Sequence, residues 1–473
     1  MRSDLLLALL QLIAALGLLA GACLRPAHAD DDLPTYDAEP CCTLCPRARD
    51  ADVYLTQFMR DHRQTLQGQG DWLFRSDIEL ATQFTIDDHV VADLARMVRA
   101  FKAHGTQILM LDFPPRGVLH ADKLLPGDRR GFNDKLALAN YRAALQRFRD
   151  AGFIVPDYGL LAEHPDGTEY FFHRDGHWTP DGARRTAELI ADTVKTLPVY
   201  AELHKRAFAT KRVGRNRHPG VLSIVASQIC GGYYPSEVVL GYTTDPVESD
   251  IFGDVPVPEI SLVGTSFSAT PTYHFAGFLQ QNLQTDILNA SLSGGNFDGG
   301  LTQYLLSDAF QQNPPKLLIW EFGHPQIAVA NPGQMRRIVP LVDNGCADKD
   351  VLLSNETAVG SGADFTDLLF NGGGQILAVK SRELVVDLKF ADPAVSEFLA
   401  EAWYLDGKHE VLRVRLNDYT KSGGRFALEM NREPDFAEQP LIDFRVQVVS
   451  PLLKPTTVVA KLCRAGMGTR KAP

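Results

Sequence analysis

The sequence predicts two folded units: an α/β sandwich built around a parallel β-sheet and, after it, a small all-β sandwich. In the first unit, buried strands alternate with amphipathic helices, which favours parallel strands joined by helical crossovers. In the second, short alternating apolar runs are separated by turn residues, which is typical of packed antiparallel sheets. The chain has 473 residues, enough for both units. We expect a leader over residues 1–29, the α/β unit over 30–341 and the β-sandwich over 342–473.

The amino terminus has the composition of a secretory signal peptide. The apolar run Leu5–Cys23 is followed by the small-residue sequence Ala27-His28-Ala29, so we expect cleavage before Asp30 and export of the mature protein. A lipoprotein signal ending at Cys23 is the alternative, although Ala20 stands where such signals normally carry Leu.

The first half of the α/β unit alternates helices and strands in an order that predicts a parallel sheet. Gly70–Phe74 predicts a turn into a short strand, and Thr106–Phe113 predicts a buried strand that a Pro-Pro pair ends. Helices are predicted over Asp88–His104 and Asn133–Ala151, where apolar residues recur at helical spacing. Phe153–Val155 follows as the next strand.

The second half repeats this pattern after an irregular excursion over residues 199–256. Its predicted elements are strands over Ile260–Val263, Asp286–Asn289 and Lys316–Trp320, and helices over Thr272–Leu283 and Asp298–Phe310. In the β-sandwich, strands are predicted over Ile376–Val379, Leu384–Leu388, Val411–Leu416, Phe426–Met430 and Phe444–Val448.

Cysteine usage fits an exported protein, because an oxidising compartment favours disulfides. Cys346 and Cys463 bracket the β-sandwich and are expected to close it, which the chain-entropy model values at about 4–5 kcal/mol. We also pair Cys45 with Cys230. Sequence alone does not fix connectivity. Two further cysteines stay unassigned: Cys41 and Cys42.

The formal net charge of −11 argues against nucleic acid as a partner. An anionic ligand would instead need a local basic patch. Such a patch lies in the excursion, and further basic residues lie in a strand and a turn of the predicted β-sandwich. The candidate polyanion-binding residues are Lys205, Arg206, Lys211, Arg212, Arg215, Arg217, Arg413, Arg415, Lys421 and Arg425. Each of them also fits an ordinary solvated surface.

A carboxylate and an imidazole, Asp175 and His177, lie two positions apart just before a predicted helix. In extended backbone such residues point to the same side, so both can face one pocket. Thr179-Pro180 predicts the start of the helix, with Thr as N-cap and Pro in the first position. A helix N-terminus beside the pair favours negative charge.

A nucleophile for this pair is found at the end of the strand Ile260–Val263. Ser266 follows Gly264 at a strand–turn–helix corner, where α/β proteins expose residues at the carboxyl edge of the sheet. His177 can take the proton of Ser266 while Asp175 orients the imidazole. The three residue types together predict nucleophilic acyl chemistry.

Other residues assist or compete with this arrangement. The N–H of Ser266 or Phe267 and the side chain of Asn296 are candidate oxyanion donors. Ser268 is the second choice of nucleophile because it lies further into the turn, and His173 is an alternative base. His173 with the Asp-His pair could also form a metal site. The pattern lacks a known metal-binding motif, so we expect neither metal nor cofactor.

Three segments together resemble a known family: Gly70-Asp71-Trp72-Leu73-Phe74, Asp175-Gly176-His177-Trp178-Thr179 and Gly264-Thr265-Ser266-Phe267-Ser268. They are similar to the SGNH-hydrolase-like domain of the AlgJ/AlgX family of alginate O-acetyltransferases. The resemblance covers essentially the whole mature chain. It implies an SGNH-hydrolase-like sandwich with circularly permuted motif order, because the Asp/His pair precedes the Ser. It also implies that Asp175, His177 and Ser266 form the catalytic triad.

The resemblance further implies a periplasmic enzyme that takes an acetyl group onto Ser266 and passes it to mannuronate hydroxyls of alginate during exopolysaccharide biosynthesis. A membrane acyltransferase would deliver the acetyl group, the β-sandwich would bind the polymer, and the protein would join a lipoprotein in an export complex. We expect a monomer. Two alternatives stay open: an acetyl esterase, since water can resolve the same acyl-enzyme, and a mainly polymer-binding scaffold of the export complex.

Overall fold

The computed structural model describes residues 34–41, 43–163, 168–248 and 256–466, so the predicted signal peptide and Cys42 lie outside the described residues. The strands of the first unit are β1 Tyr36–Asp37, β2 Thr65–Gln67, β3 Leu73–Arg75, β4 Gln107–Leu111, β5 Phe208–His218, β6 Glu237–Pro246, β7 Ile260–Val263, β8 Ile287–Asn289 and β9 Leu317–Glu321. Its α-helices are α1 Gln57–Arg60, α2 Asp88–Ala103, α3 Arg116–Leu119, α4 Asp134–Asp150, α5 Leu160–Glu163, α6 Pro180–Lys195, α7 Pro198–Glu202, α8 Val221–Cys230, α9 Ser266–Ala269, α10 Phe275–Leu283, α11 Asn296–Leu305, α12 Asp308–Gln312, α13 His324–Ala328 and α14 Pro332–Val342. The second unit contains β10 Val351–Val359, β11 Thr366–Phe370, β12 Leu384–Phe390, β13 Glu397–Tyr404, β14 His409–Arg415, β15 Arg425–Glu429, β16 Leu441–Val448 and β17 Thr456–Arg464, with the short helix α15 Pro434–Ala437.

Four parallel strands form the central sheet, in the order β4–β9–β7–β8. Every residue of β7 and β9 is buried, as expected for parallel strands covered on both faces. The predicted strand around Ile154 is reduced to a single parallel bridge with Leu109. The parallel α/β architecture predicted from the sequence is confirmed.

Helix boundaries follow the capping residues. Asn133 caps α4 by accepting the N–H of Leu136, and Thr179 caps α6 by accepting the N–H of Gly182. One predicted helix was wrong in its extent, because the 298–310 segment divides into α11 and α12. The first of these ends at Leu305, and Ser307 caps the second by accepting the N–H of Phe310.

The excursion between the two halves forms its own antiparallel sheet, in the order β1–β6–β5. Helix α8 connects β5 to β6 along the chain. The disulfide Cys45–Cys230 ties the last residue of α8 to the amino-terminal segment. Cys41 is also disulfide-bonded. None of the helices in the described part of the chain is long and apolar enough to cross a membrane.

The second unit is a sandwich of two four-stranded antiparallel sheets, β10–β17–β12–β15 and β11–β16–β13–β14. The buried disulfide Cys346–Cys463 joins its start to its last strand. The predicted strand over Ile376–Val379 was wrong. There the side chain of Asn371 bonds both the N–H and the C=O of Leu377, at 2.9 and 3.1 Å, in place of a neighbouring strand.

Charged and polar contacts join the two units. Arg96 of α2 binds Glu429 of β15 in a two-pronged ion pair, with N–O distances of 2.8 and 2.6 Å. Asn417 Nδ2 donates to the carbonyl of Gly295 at 2.7 Å. The expected domain boundary at residues 341/342 falls at the end of α14 and stays a prediction.

Candidate active site

The site lies at the carboxyl edge of the central sheet, where α/β proteins place their ligands. Strand β7 ends at Val263, and the turn Gly264-Thr265 leads into α9, whose first residue is Ser266. A Cβ atom on Gly264 would lie 2.3 Å from Glu321 Oε2, so only glycine fits this turn.

Glu321, the last residue of β9, fixes the turn that presents the serine. Its fully buried carboxyl group accepts the N–H of Thr265 at 2.7 Å and the hydroxyl of Thr265 at 2.9 Å. Burial raises the pKa of Glu321, and the hydrogen bonds from Thr265 only partly oppose that rise.

Ser266, His177 and Asp175 form a continuous hydrogen-bonded arrangement. His177 Nε2 lies 2.7 Å from Ser266 Oγ, and His177 Nδ1 lies 2.6 Å from Asp175 Oδ1. Because Nδ1–H donates to the carboxylate, Nε2 is left to accept the serine proton, which is the requirement for activating a hydroxyl nucleophile. The structure therefore brings together the three residues that the sequence singled out.

The carboxylate of Asp175 is buried, and both of its oxygens are fully engaged. Oδ1 also accepts the backbone N–H of His177, while Oδ2 accepts His218 Nε2 at 2.9 Å and the N–H of Val221 at 2.8 Å. Burial by itself raises the pKa of Asp175. The charge and hydrogen bonds of His177 and His218 outweigh burial and hold this pKa well below its usual value.

Sequence reasoning missed His218 and Glu321. His218 ends β5, 43 positions from Asp175 and directly after the basic run, so no spacing rule connects the two. Glu321 left a weak signal, because it is an acidic residue directly after the predicted strand Lys316–Trp320. An acidic side chain at a buried strand end needs a partner, and here that partner is the turn before Ser266.

The alternative nucleophile, Ser268, and the alternative base, His173, lie outside the Ser266–His177–Asp175 arrangement. Ser268 is buried, and the serine within hydrogen-bond distance of His177 is Ser266. His173 Nδ1 lies 2.8 Å from Asp71 Oδ1, and its Nε2 lies 3.4 Å from Glu169. Burial lowers the pKa of His173, but hydrogen bonds and charge from the two carboxylates prevail and raise it.

The residues that lie close enough to hold a metal ion differ from the set suggested by the sequence. Ligand atoms of Asp71, His173 and Glu237 lie within 4.8 Å of one another, whereas Asp175 and His177 belong to the serine arrangement. Protein donors already occupy the two carboxylates of that cluster. Arg174 Nη1 donates to Asp71 at 2.9 Å, and Glu237 accepts from Tyr36 and from the N–H of His173.

A cavity of about 430 Å³ borders Ser266, and Asn296 lies in its wall. Asn296 is exposed, begins α11 and has a φ of 53°, a left-handed conformation that asparagine tolerates. The N–H of Phe267 is directed at Thr265 Oγ1, at 3.4 Å. Asn296 and the N–H of Ser266 therefore stay the predicted oxyanion donors.

Several of the predicted polyanion-binding residues are engaged within the protein. Lys205 Nζ lies 3.1 Å above the ring of Tyr200, and Arg206 pairs with Asp286 at 3.3 Å. Arg425 binds Asp387 and Asn344, and Arg413 and Arg415 of β14 share Glu397. Lys421 is exposed in the turn before β15.

The basic residues of β5 are exposed and lead toward the site. Lys211, Arg212, Arg215 and Arg217 precede His218, whose ring contacts Asp175. Arg215 forms an ion pair with Asp37, which is also exposed, at 3.4 Å. This strand therefore presents a positive surface that ends at the serine arrangement.

Each of the two units matches a known protein family. Residues 65–324 match the family described as the SGNH hydrolase-like domain, acetyltransferase AlgX, and residues 345–472 match a C-terminal carbohydrate-binding module. The chain is 38% identical over 464 residues to the alginate biosynthesis protein AlgX of Pseudomonas syringae pathovar tomato. The aligned region covers 97% of this chain and 95% of that protein. It is 28% identical over 282 residues to the probable alginate O-acetylase AlgJ of Azotobacter vinelandii, covering 56% of this chain and 69% of that protein.

A solved structure shows the same architecture. The structure of Pseudomonas aeruginosa AlgX matches with a TM-score of 0.81 and 35% identity, and the match covers 89% of this chain and all of that one. Both units described above are included in a match of that extent.

The charge of Asp175 is expected to contribute stability in a pH-dependent way. Because its pKa is lower in the folded state, the ionised carboxylate stabilises the fold above about pH 4, and this contribution is lost as the pH falls through the folded pKa. Asp175→Asn should lower the free energy of unfolding at pH 7 by about 1–3 kcal/mol. Urea unfolding at pH 7 and pH 3, with the exposed Asp418→Asn as control, should show the difference shrinking in acid. A difference that does not change with pH would contradict this assignment.

Proposed function

Because the chain belongs to the AlgX family of alginate biosynthesis proteins, we propose that it is a periplasmic alginate O-acetyltransferase that works through an acetyl-Ser266 intermediate. The observation that carries the proposal is the hydrogen-bonded Ser266–His177–Asp175 arrangement at the edge of a cavity. The AlgJ relative, named as a probable alginate O-acetylase, supports acetyl transfer as the reaction.

In the first half-reaction, His177 Nε2 removes the proton of Ser266 as Oγ attacks the acetyl carbonyl of the donor. The negative charge that develops on the carbonyl oxygen is stabilised by the N–H of Ser266 and by Asn296. His177 then returns the proton to the leaving group, and the acetyl group stays on Ser266. Asp175 holds the imidazole in the required tautomer throughout and stabilises the transient imidazolium.

In the second half-reaction, a mannuronate hydroxyl gives its proton to His177 and attacks the acetyl-serine. The acetyl group moves to the sugar oxygen, and Ser266 regains its proton from His177. Water in place of the sugar would make the protein an esterase. Aromatic walls formed by Phe113, Phe171 and Phe267 support transfer, because they limit the room for water around the acetyl-serine.

The route of the polymer supports an anionic acceptor. The exposed basic residues of β5 end at His218, beside Asp175, and can hold a polyanion along its path to the cavity. The C-terminal carbohydrate-binding module offers a second contact with the same chain. A membrane acyltransferase would supply the acetyl group, and a lipoprotein would be the partner of the protein in the export complex.

The mainly polymer-binding scaffold is the second candidate function. The carbohydrate-binding module favours it, since a module of this kind is sufficient to hold polymer. A scaffold has no need for His177 Nε2 to lie 2.7 Å from a serine hydroxyl, so the site geometry favours the enzyme.

Ser266→Ala should remove acetyl transfer while leaving the fold intact, because the nucleophile is lost and no buried group is disturbed. With an acetyl ester donor and mannuronate oligomers, we expect the rate of sugar acetylation to fall at least about a thousandfold. Mass spectrometry of the oligomers measures the transfer, and circular dichroism checks the fold. Normal acetylation by the variant would remove Ser266 from the mechanism.

Reversing the charge on β5 should weaken polymer binding. For the double variant Lys211→Glu/Arg217→Glu, we expect affinity for mannuronate polymer to fall at least about fivefold at low salt, and the effect to fade at high salt. The exposed pair Lys102→Glu/Lys135→Glu carries the same charge change on α2 and α4 and is the matched control. Equal losses in both double variants would show a general charge effect and no track along β5.

A further inference from the structure

The cavity beside Ser266 is lined by one guanidinium group, that of Arg75, without an ion-pair partner among the described residues. Arg75, the last residue of β3, lines the same cavity as Ser266 and is half-buried. Its Nε is buried without a hydrogen-bond partner. Among the residues that the structure describes, no carboxylate lies within ion-pair distance of the Arg75 guanidinium.

The other charged groups that line the cavity are hydrogen-bonded within the protein. Glu79 Oε2 accepts Arg116 Nη1 at 2.5 Å, and Arg116 is itself almost completely buried. Asp175 is bound by His177 and His218, as described above. The Arg75 guanidinium therefore differs from these groups, because it is partly desolvated and has no carboxylate partner among the described residues, a position that an anionic ligand would stabilise.

The backbone of Arg75 is held rigidly relative to the catalytic loop. Its N–H donates to Glu79 Oε2 at 3.0 Å, and β3 pairs with β2. Two residues earlier, the N–H of Leu73 donates to the carbonyl of His173, in the loop that carries Asp175. The Arg75 side chain therefore starts from a fixed backbone position beside the loop of Asp175 and lines the same cavity as the serine.

We propose that Arg75 binds the carboxylate of the uronate unit that presents its hydroxyl to acetyl-Ser266. The inference rests on the proposed function. Of the two substrates of that reaction, the acceptor carries a carboxylate, whereas the acetyl group to be transferred is uncharged. Arginine suits this role because its planar guanidinium matches a carboxylate with two parallel hydrogen bonds. Arg75 would therefore select acidic sugars over neutral ones and orient the accepting ring.

The test compares Arg75→Gln with wild type in the two half-reactions. Acetylation of Ser266 by 4-nitrophenyl acetate is followed by mass spectrometry, and transfer is measured with mannuronate oligomers and with neutral mannose oligomers of the same linkage. We expect the KM for mannuronate oligomers to rise about tenfold, the scale of one lost charge-assisted hydrogen-bond pair. The fold-increase in this KM should be several times larger than any fold-change in the rate of Ser266 acetylation. The preference for the acidic over the neutral oligomer should disappear.

Arg130→Gln is the matched control, since Arg130 lies next to the site, with its Nη1 3.4 Å from Ser76 Oγ, but outside the cavity wall. It should keep the wild-type KM. An unchanged preference for acidic oligomers in Arg75→Gln would overturn the inference. A loss confined to Ser266 acetylation would also overturn it, because that result would place Arg75 at the acetyl donor. If wild type transfers acetyl groups to neither oligomer, the proposed function fails first, and that result is distinguishable from either outcome for Arg75.

Discussion

The buried carboxylate of Asp175 is the contact on which the site depends. It accepts four hydrogen bonds from three segments: two from His177 in its own loop, one from His218 at the end of β5 and one from Val221 at the start of α8. A carboxylate taken out of water is tolerated only when its oxygens are bonded, so these segments must assemble for the imidazole to be held. The excursion is therefore part of the active site, because it completes the environment of the acid.

The serine side of the site depends on a second buried carboxyl group. Glu321 holds Thr265 from the neighbouring strand, and the absence of a side chain on Gly264 makes room for it. The β-sandwich reaches the same region from outside, since Asn417 binds the carbonyl of Gly295, one residue before Asn296. The wall of the cavity thus joins the α/β unit to the module expected to hold the polymer.

Sequence reasoning succeeded where the signal was local. The spacing of Asp175 and His177, the strand end before Ser266 and the Thr179 cap each arise from neighbouring residues, and the structure brings the three site residues together. It missed His218 and Glu321 because their partners lie far away in the chain. It was wrong about Ile376–Val379, where the side chain of Asn371 replaces a strand neighbour and leaves the apolar pattern without a sheet. A run of basic residues also does not reveal which of them pair within the fold, as Arg206 does with Asp286 and Arg425 with Asp387.

The most direct test of acetyl transfer is a single-turnover chase. Ser266 is first loaded with a radiolabelled acetyl group from a chromogenic ester, free donor is removed, and mannuronate oligomers or buffer alone are added. The account predicts that label leaves the protein faster with oligomer than with buffer and appears on the sugar. Release as free acetate at a rate unaffected by oligomer would contradict it and identify the protein as an esterase.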